Sequence, residues 1–281
     1  MPELPEAEVA TRQLRERVVG AMVSDCWVGR GDIVREGLST LEWFRRATIT
    51  GVERRGKSVI ITFLRAAQTR FLAAELGMTG LLLFRNTPTK YPQHTHFVLQ
   101  LEGGEEPEIR YWNPRRFGRL SLLDQAGLDQ YTSRRFGPDP LLISLKQFVQ
   151  LLSSTRSRLK PLLMHQQAIA GIGNIYANEI LFRARLHPDQ AANQVGEKAV
   201  MRLHEIMVDV LREAIALGGS SVRDYFAPDG TEGQYKRRHL VYAKSGESCP
   251  NDCGTVIKRS VGERSSFYCP QCQRIRRPRV G

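Results

Sequence analysis

Four of the five cysteines in this chain stand in two close pairs, Cys249-x3-Cys253 and Cys269-x2-Cys272, with fifteen residues between them. Four thiolates so spaced suit a tetrahedral zinc ion, and the intervening length suits a hairpin that brings the pairs together. Disulfides or free thiols are the other states open to the same residues, and an intracellular setting disfavours the former. With zinc, all four positions are filled by protein, so the expectation is one structural ion per chain. The same stretch holds Lys258, Arg259 and Arg264 and runs on to Arg274, Arg276, Arg277 and Arg279. A zinc-stapled hairpin studded with arginine suits nucleic acid, while the last four arginines equally fit a solvated tail. Cys26 stands alone and reads as a buried small hydrophobe.

The basic character extends beyond the cysteines. Forty-one Lys and Arg oppose 29 Asp and Glu, a formal charge of +12. That balance points to a polyanionic partner, with nucleic acid ahead of an anionic membrane surface. No run of 18 apolar residues occurs, and the acidic, proline-broken start is no signal peptide. The expectation is a soluble, cytoplasmic, nucleoid-associated monomer without a membrane partner.

Periodicity then divides the 281 residues. From residue 5 to about 19 the pattern is helical, with Ala10, Leu14 and Val18 on one stripe and Gly20 ending it. Short strand signals follow at 22–27, 48–53, 58–64, 70–76, 81–84, 97–101 and 118–123, separated by Gly, Pro and Asn. They predict a β-sandwich or barrel carrying one N-terminal helix. Phe136-Gly137-Pro138-Asp139-Pro140 reads as an interdomain hinge. Helical signals occupy 145–152, 159–164, 175–182 and 197–217, closed by Gly218-Gly219. The class is therefore α+β, with domains expected at 1–135, 136–237 and 238–281.

The first residues, Met1-Pro2-Glu3-Leu4-Pro5-Glu6-Ala7-Glu8, allow two readings. In one, Pro5 opens a helix and the acids favour its positive end. In the other, Met1 is trimmed and Pro2 becomes a secondary amine with an α-amino pKa of about 7.7–8.0. Such an amine, partly unprotonated at neutral pH, can attack an aldehyde or acetal carbon as lysines do in Schiff-base chemistry. Glu3 and Glu6 are then near enough to give or take a proton.

Further motifs carry similar pairs of readings. Gly171-Ile172-Gly173-Asn174 precedes a helix, so its N–H groups and the Asn174 amide suit a phosphate, or the stretch is a plain packing corner. Asn113-Pro114-Arg115-Arg116-Phe117-Gly118 starts a turn that either presents Arg115, Arg116 and Phe117 as a wedge for a duplex or buries Phe117 between two solvated arginines. Met78, in the Gly77–Gly80 turn, is a second wedge or a core residue. Arg54-Arg55-Gly56-Lys57 forms a turn that holds a phosphate through Lys57 or is simply solvated. His94-x-His96 places two imidazoles on one strand face, with no matching third ligand, which suits phosphate contact or packing.

Taken in order, the opening Met-Pro-Glu-Leu-Pro-Glu, Gly56-Lys57, Leu76-Gly77-Met78-Thr79-Gly80, Asn113 to Gly118, Gly173-Asn174-Ile175-Tyr176-Ala177 and the four cysteines resemble the formamidopyrimidine-DNA glycosylase family. Its members are bacterial base-excision repair enzymes that remove 8-oxoguanine and ring-opened purines from damaged double-stranded DNA. The resemblance runs from Pro2 to Gln273. It implies a helix–two-turn–helix in the second domain and a zinc finger at the end. It implies Pro2 as nucleophile, Glu3 as proton donor, Glu6 as an assisting acid and Lys57 as a phosphate-gripping catalytic lysine. Met78, Arg115 and Phe117 become the triad that fills the hole left by a flipped base, with Arg116 beside them. His94, Asn174 and Arg264 become DNA contacts, and 220–235 the loop covering the everted base. The implied activity is that of a bifunctional glycosylase and apurinic-site lyase.

Three departures stand out. Glu75 occupies a position where the resemblance implies a phosphate-contacting histidine, and a carboxylate there is expected to repel phosphate. The first cysteine pair has three intervening residues instead of two. Ala243 follows Val241-Tyr242 where glycine is usual. Two rival functions stay open: an endonuclease VIII-like glycosylase for oxidised pyrimidines, disfavoured by Leu4 and the Met78/Arg115/Phe117 set, and a lesion-binding protein without catalysis, disfavoured by Pro2, Glu3 and Lys57.

Overall fold

The computed structural model describes residues 2–89, 92–221, 225–262 and 264–275. Met1, residues 222–224 of the expected covering loop, and Arg276, Arg277 and Arg279 of the basic tail lie outside the described residues. The chain divides into two compact units, Met1–Arg135 with Ala214–Lys236, and Phe136–Glu213 with Arg237–Gly281.

In the first unit, helix α1 spans Leu4–Val18, with Glu3 as an extended N-cap and a proline in its first turn. Ala7, Ala10, Leu14 and Val18 are buried, the i, i+3, i+4 stripe of a helix with one face on a core. Gly20, at φ +95°, turns the chain out of the helix, a conformation that costs glycine nothing. The strands that follow are β1 (Met22–Val28), β2 (Val34–Glu36), β3 (Thr48–Arg55), β4 (Ser58–Arg65), β5 (Gln68–Glu75), β6 (Leu81–Phe84), β7 (Thr95–Glu102), β8 (Glu108–Trp112) and β9 (Leu120–Leu123), with a one-turn helix α2 (Leu41–Phe44) between β2 and β3. Helix α3 (Gln125–Arg135) ends the first part of this unit.

The nine strands form one hydrogen-bonded sheet in the order β2-β9-β5-β4-β3-β1-β7-β8-β6. Residues from both ends of that order meet in a single core: Ile61 and Phe63 of β4, Leu72 and Ala74 of β5, Leu99 of β7 and Tyr111 of β8, closed by the α1 stripe. The sheet thus folds over as the expected sandwich. Irregularities in register at Val23/Asp25 and Ile49/Gly51 supply the local bend and twist that such folding needs.

Four of these elements go beyond the sequence reading: β2, the one-turn α2, β8 and α3. β2 has three residues, too few to show alternation, and pairs in parallel with β9. β8 does alternate, with Ile109 and Tyr111 buried, but its charged neighbours mask the pattern. α3 buries only Tyr131, so it has no apolar stripe to read. Conversely, Gly118 and Arg119 belong to a loop and not to the strand expected from 118.

The second unit holds α4 (Leu145–Ser153), α5 (Leu159–Met164), α6 (Asn174–Arg183), all but the last three residues of α7 (Glu197–Ala216), and a hairpin of β10 (Lys258–Ser260) and β11 (Ser266–Tyr268). Ser144 and Gln147 make a capping box that starts α4. α6 carries the hairpin module: Asn178 Oδ1 accepts the Phe267 N–H at 2.8 Å, and the fully buried Glu179 accepts the N–H groups of Leu240, Val241 and Tyr242 at 2.8, 3.0 and 2.8 Å. Three consecutive N–H groups on one carboxylate fix how the chain enters the cysteine module. No helix among the described residues is long and apolar enough to cross a membrane.

Candidate active site and nucleic-acid interface

The N-terminal turn is locked from below. Pro2 is buried, Glu3 is 1% exposed and Glu6 is fully buried. Glu6 Oε2 accepts the Glu3 N–H at 2.7 Å, while Oε1 accepts the Ser220 N–H at 2.7 Å. The Tyr225 hydroxyl donates to the Glu6 carbonyl at 2.9 Å. Glu6 therefore spends both oxygens on backbone N–H groups, one beside Pro2 and one at the start of the 220–235 segment. That geometry ties Glu6 to the backbone on both sides of it.

Helix α1 is also tied to the Gly56-Lys57 turn. Arg54 Nε donates to Glu8 Oε2 at 2.8 Å and its Nη1 to the Gly56 carbonyl at 3.2 Å. Glu8 Oε1 accepts from Arg12 at 2.8 Å. Burial pushes the Glu8 carboxyl up, but the bonds from Arg12 and Arg54 outweigh it and hold the group below the usual carboxylate range. Gly56, at φ +58°, makes the tight turn and leaves Lys57 half-buried at its tip. Arg54 and Glu8 were both visible in the sequence, but the link between them is made only by tertiary packing.

The Asn113–Gly118 loop presents its tip to solvent. Phe117 is 56% exposed, Arg115 and Arg116 are exposed, and the Arg115 guanidinium lies 5.2 Å from the centre of the Phe117 ring. The brace is Asn113, fully buried: its Oδ1 accepts the Arg116 N–H at 3.0 Å and its Nδ2 donates to the Gly118 carbonyl at 3.3 Å. Thr79 Oγ1 donates to Asn113 Oδ1 and accepts the Arg115 N–H, both at 3.3 Å, which ties the half-buried Met78 turn to the wedge. Met78, Arg115 and Phe117 thus share one surface feature.

The two histidines differ from the expected shared strand face. His94 ends a short 3-10 turn, and its carbonyl accepts the Asn113 N–H at 2.9 Å. His96 lies in β7, 4% exposed, with Nε2 3.1 Å from the Asn113 carbonyl. Burial lowers its pKa, helped by His94, Arg116 and Arg30 and opposed by the Asn113 bond. His96 packs beneath this loop, and its ring meets that of His94 edge to face with centroids 6.3 Å apart, across a register shift between Thr95 and Phe97.

Glu75 is paired with two arginines. Its Oε1 lies 3.1 Å from Arg35 Nη1 and 2.8 Å from Arg135 Nη1. The local charge is that of two arginines and one carboxylate, a net positive. Arg35 sits on β2 and Arg135 on α3, the elements without a sequence signal, which is why neither was anticipated.

In the second unit, Gly173 caps α6 and Asn174 is its half-buried first residue. The turn before it is shaped by Gln166, which accepts the Gly171 N–H at 2.8 Å and donates to the Met164 and Ile172 carbonyls. Arg264, exposed, borders a cavity of about 630 Å³ with Arg158, Lys160 and His165. Lys160 Nζ holds the hairpin end through the Ser265 carbonyl at 2.6 Å and Ser266 Oγ at 2.9 Å.

The sulfurs of Cys249, Cys253, Cys269 and Cys272 all lie within 4.8 Å of one another, with 3.8 Å between Cys249 and Cys272 and 3.4 Å between Cys253 and Cys269. A Zn–S bond of about 2.3 Å in a tetrahedron sets sulfurs about 3.8 Å apart, so the set fits zinc. A disulfide requires about 2.05 Å, and all five cysteines are free. The extra residue in the first pair does not open the cluster. Gln273 supports it by accepting the Cys269 N–H and donating to the Leu186 carbonyl.

Residues 1–120 match the family model described as the formamidopyrimidine-DNA glycosylase N-terminal domain, and residues 136–225 match its H2TH domain. The chain is 39% identical over 278 residues to the formamidopyrimidine-DNA glycosylase of Thermus thermophilus, covering 97% of this chain and 98% of that one. To the protein of the same name from Novosphingobium aromaticivorans it is 37% identical over 279 residues, covering 98% and 100%. A solved complex of a Lactococcus lactis FPG variant with Fapy-dG-containing DNA superimposes with a TM-score of 0.86 at 32% identity, covering 97% of this chain and all of that one. With matches over nearly its whole length, the chain belongs to the formamidopyrimidine-DNA glycosylase family.

Proposed function

We propose that this protein is a bifunctional DNA glycosylase and apurinic-site lyase acting on oxidised purines in duplex DNA. The observation that carries this reading is the buried Glu3 beside Pro2, in a turn that Glu6 locks by taking the Glu3 N–H. A carboxyl so held can serve one reacting centre without rearrangement. The relatives' shared name and the damaged DNA in the Lactococcus lactis complexes support the substrate class.

On this reading, removal of Met1 gives Pro2 a secondary amine. Its lone pair attacks C1′ of the damaged nucleotide, the glycosidic bond breaks, and the base leaves with a proton. Glu3 protonates the ring oxygen as the sugar opens to an iminium. The iminium acidifies C2′; loss of a C2′ proton expels the 3′ phosphate, and a second elimination releases the 5′ phosphate. Lys57 steadies a backbone phosphate during these steps. Met78, Arg115 and Phe117 fill the stack as the nucleotide leaves it, and poorly stacked lesions cost less to extrude. Asn174 and Arg264 hold phosphates from the second unit. Cys249, Cys253, Cys269 and Cys272 hold one zinc ion, which supplies rigidity to the hairpin and no chemistry. Residues 1–135, 136–237 and 238–281 then divide catalysis, helical DNA binding and the finger.

Intact mass combined with borohydride trapping on an 8-oxoguanine:C duplex tests the reading. The expected result is protein lacking one methionine and a covalent adduct mapped to Pro2, lost in Pro2→Gly. Full trapping by Pro2→Gly would remove Pro2 from its role. Trimmed protein that binds without forming an adduct would make it a lesion binder.

A further inference from the structure

Glu75 stands at a junction of three features. Across β4–β5 it pairs with Ser58, the residue after Lys57. Its own N–H donates to the Arg119 carbonyl at 2.8 Å, and its carbonyl accepts the Tyr111 hydroxyl at 2.6 Å, so its backbone abuts the end of the wedge loop. A Cβ added to Gly118 would fall 2.1 Å from the Glu75 carbonyl oxygen, which shows how tightly the two segments are pressed. The Glu75 carboxylate therefore lies between the Lys57 turn and the Phe117 wedge. A duplex strand held by the one and parted by the other has to pass it.

At that place the structure gathers two arginines. Arg35 comes from β2 at 3.1 Å and Arg135 from α3 at 2.8 Å. The arginine side chains are 44% and 34% exposed, whereas Glu75 is 19% exposed. The cations thus face solvent and the anion sits behind them. Arg135 also stacks over Tyr131 at 4.6 Å, and the Tyr131 hydroxyl is 3.0 Å from Ser58 Oγ, which anchors that arm to the strand carrying the Lys57 turn. Ion pairs this exposed contribute little to stability, so a purely stapling role explains the arrangement poorly. Two planar guanidiniums converging on one point, with a residual positive charge, suit a phosphodiester oxygen.

We propose that Arg35 and Arg135, held together by Glu75, form a seat for one backbone phosphate between the Lys57 turn and the wedge. The proposal rests on the DNA-binding reading above. Glu75 cancels one of the two guanidinium charges, so that the seat takes a single phosphate. Because the contact is to backbone, it strengthens damaged and undamaged duplexes alike.

The test is the salt dependence of binding to a duplex carrying an unreactive tetrahydrofuran abasic analogue, read by fluorescence anisotropy. Each neutralised phosphate contributes about −0.9 to the slope of log affinity against log salt. Arg35→Gln and Arg135→Gln each bring the cluster to neutrality and are expected to make the slope shallower by about 0.9. Glu75→Gln leaves two positive charges and is expected to act oppositely, steepening the slope by about 0.9, with tighter binding at low salt. Between 50 and 200 mM salt, 0.9 in slope is about a 3.5-fold change in affinity. The opposite signs separate the seat from a fold defect, which would weaken all three variants. Slopes within about 0.3 of wild type for all three would overturn the proposal, as would weakening by Glu75→Gln. Since nothing reacts in this duplex, the outcome is independent of Pro2 chemistry; a wild-type protein that does not bind at all would end both readings.

Discussion

The sharpest consequence of the structure concerns Glu6. Glu6→Gln keeps the size of the side chain but turns one oxygen into an NH2 group. Whichever oxygen is replaced, a donor then faces a backbone N–H, either that of Glu3 or that of Ser220. Two losses follow: one hydrogen bond to a charged group, worth about 1.5–3 kcal/mol, and the burial of an unsatisfied N–H, worth about 1–3 kcal/mol. The two overlap, so the expected cost is about 2–4 kcal/mol. Glu6→Ala removes both bonds and is expected to cost about 3–6 kcal/mol, a large share of a typical folding free energy. Urea denaturation of the first transition measures the cost, and borohydride trapping on the same samples measures chemistry. A positioning role predicts that Glu6→Gln lowers trapping at every pH without moving the pH optimum, because no proton passes through the residue. Glu6→Gln with unchanged stability and a displaced pH profile would refute the reasoning and restore Glu6 as a proton carrier.

Three further outcomes can be checked. Ala243 holds φ +62°, a conformation that strains any residue with a Cβ, so Ala243→Gly should raise stability by about 0.5–1 kcal/mol net of glycine's unfolded-state entropy, read as a higher melting temperature. Because Glu8 is held below its usual value of 4.5, its pairing contributes stability that is fully present above that pH and is lost as pH falls through the folded value. Accordingly, the stability gap between wild type and Glu8→Gln should shrink below about pH 4.5, seen in urea midpoints. Stripping the zinc with a chelator should expose the chain from about residue 237 onward to proteolysis while the first unit stays resistant, since the four sulfurs converge from both ends of the hairpin; purified protein carrying no zinc by elemental analysis would contradict this.

How much was legible in the sequence depended on how local the governing physics is. The α1 stripe, the long strands, α5 and the cysteine cluster rest on periodicity or spacing over a few residues, and they appear where expected. β2 and α3 have no such signal, because β2 has three residues and α3 buries one side chain. Phe117 was undecided between core and surface. What exposes it is Asn113, whose side chain is consumed inside the loop and whose carbonyl receives the buried His96 ring. The Asn-Pro pair announced a turn, but only the partners below it determine which way the ring points.

Glu75 takes the same lesson to electrostatics. Read along the chain, a carboxylate where a strand of DNA must pass is a repulsive element, and its neighbours Ala74 and Leu76 offer nothing to offset it. Its partners come from β2 and from α3, far away in sequence, and together they reverse the sign of the local charge. A similar arrangement recurs nearby, where Asp32 lies 2.9 Å from Arg30 and 3.6 Å from Arg116 of the wedge loop. In both places a carboxylate lies within reach of two arginines and trims the positive charge they present.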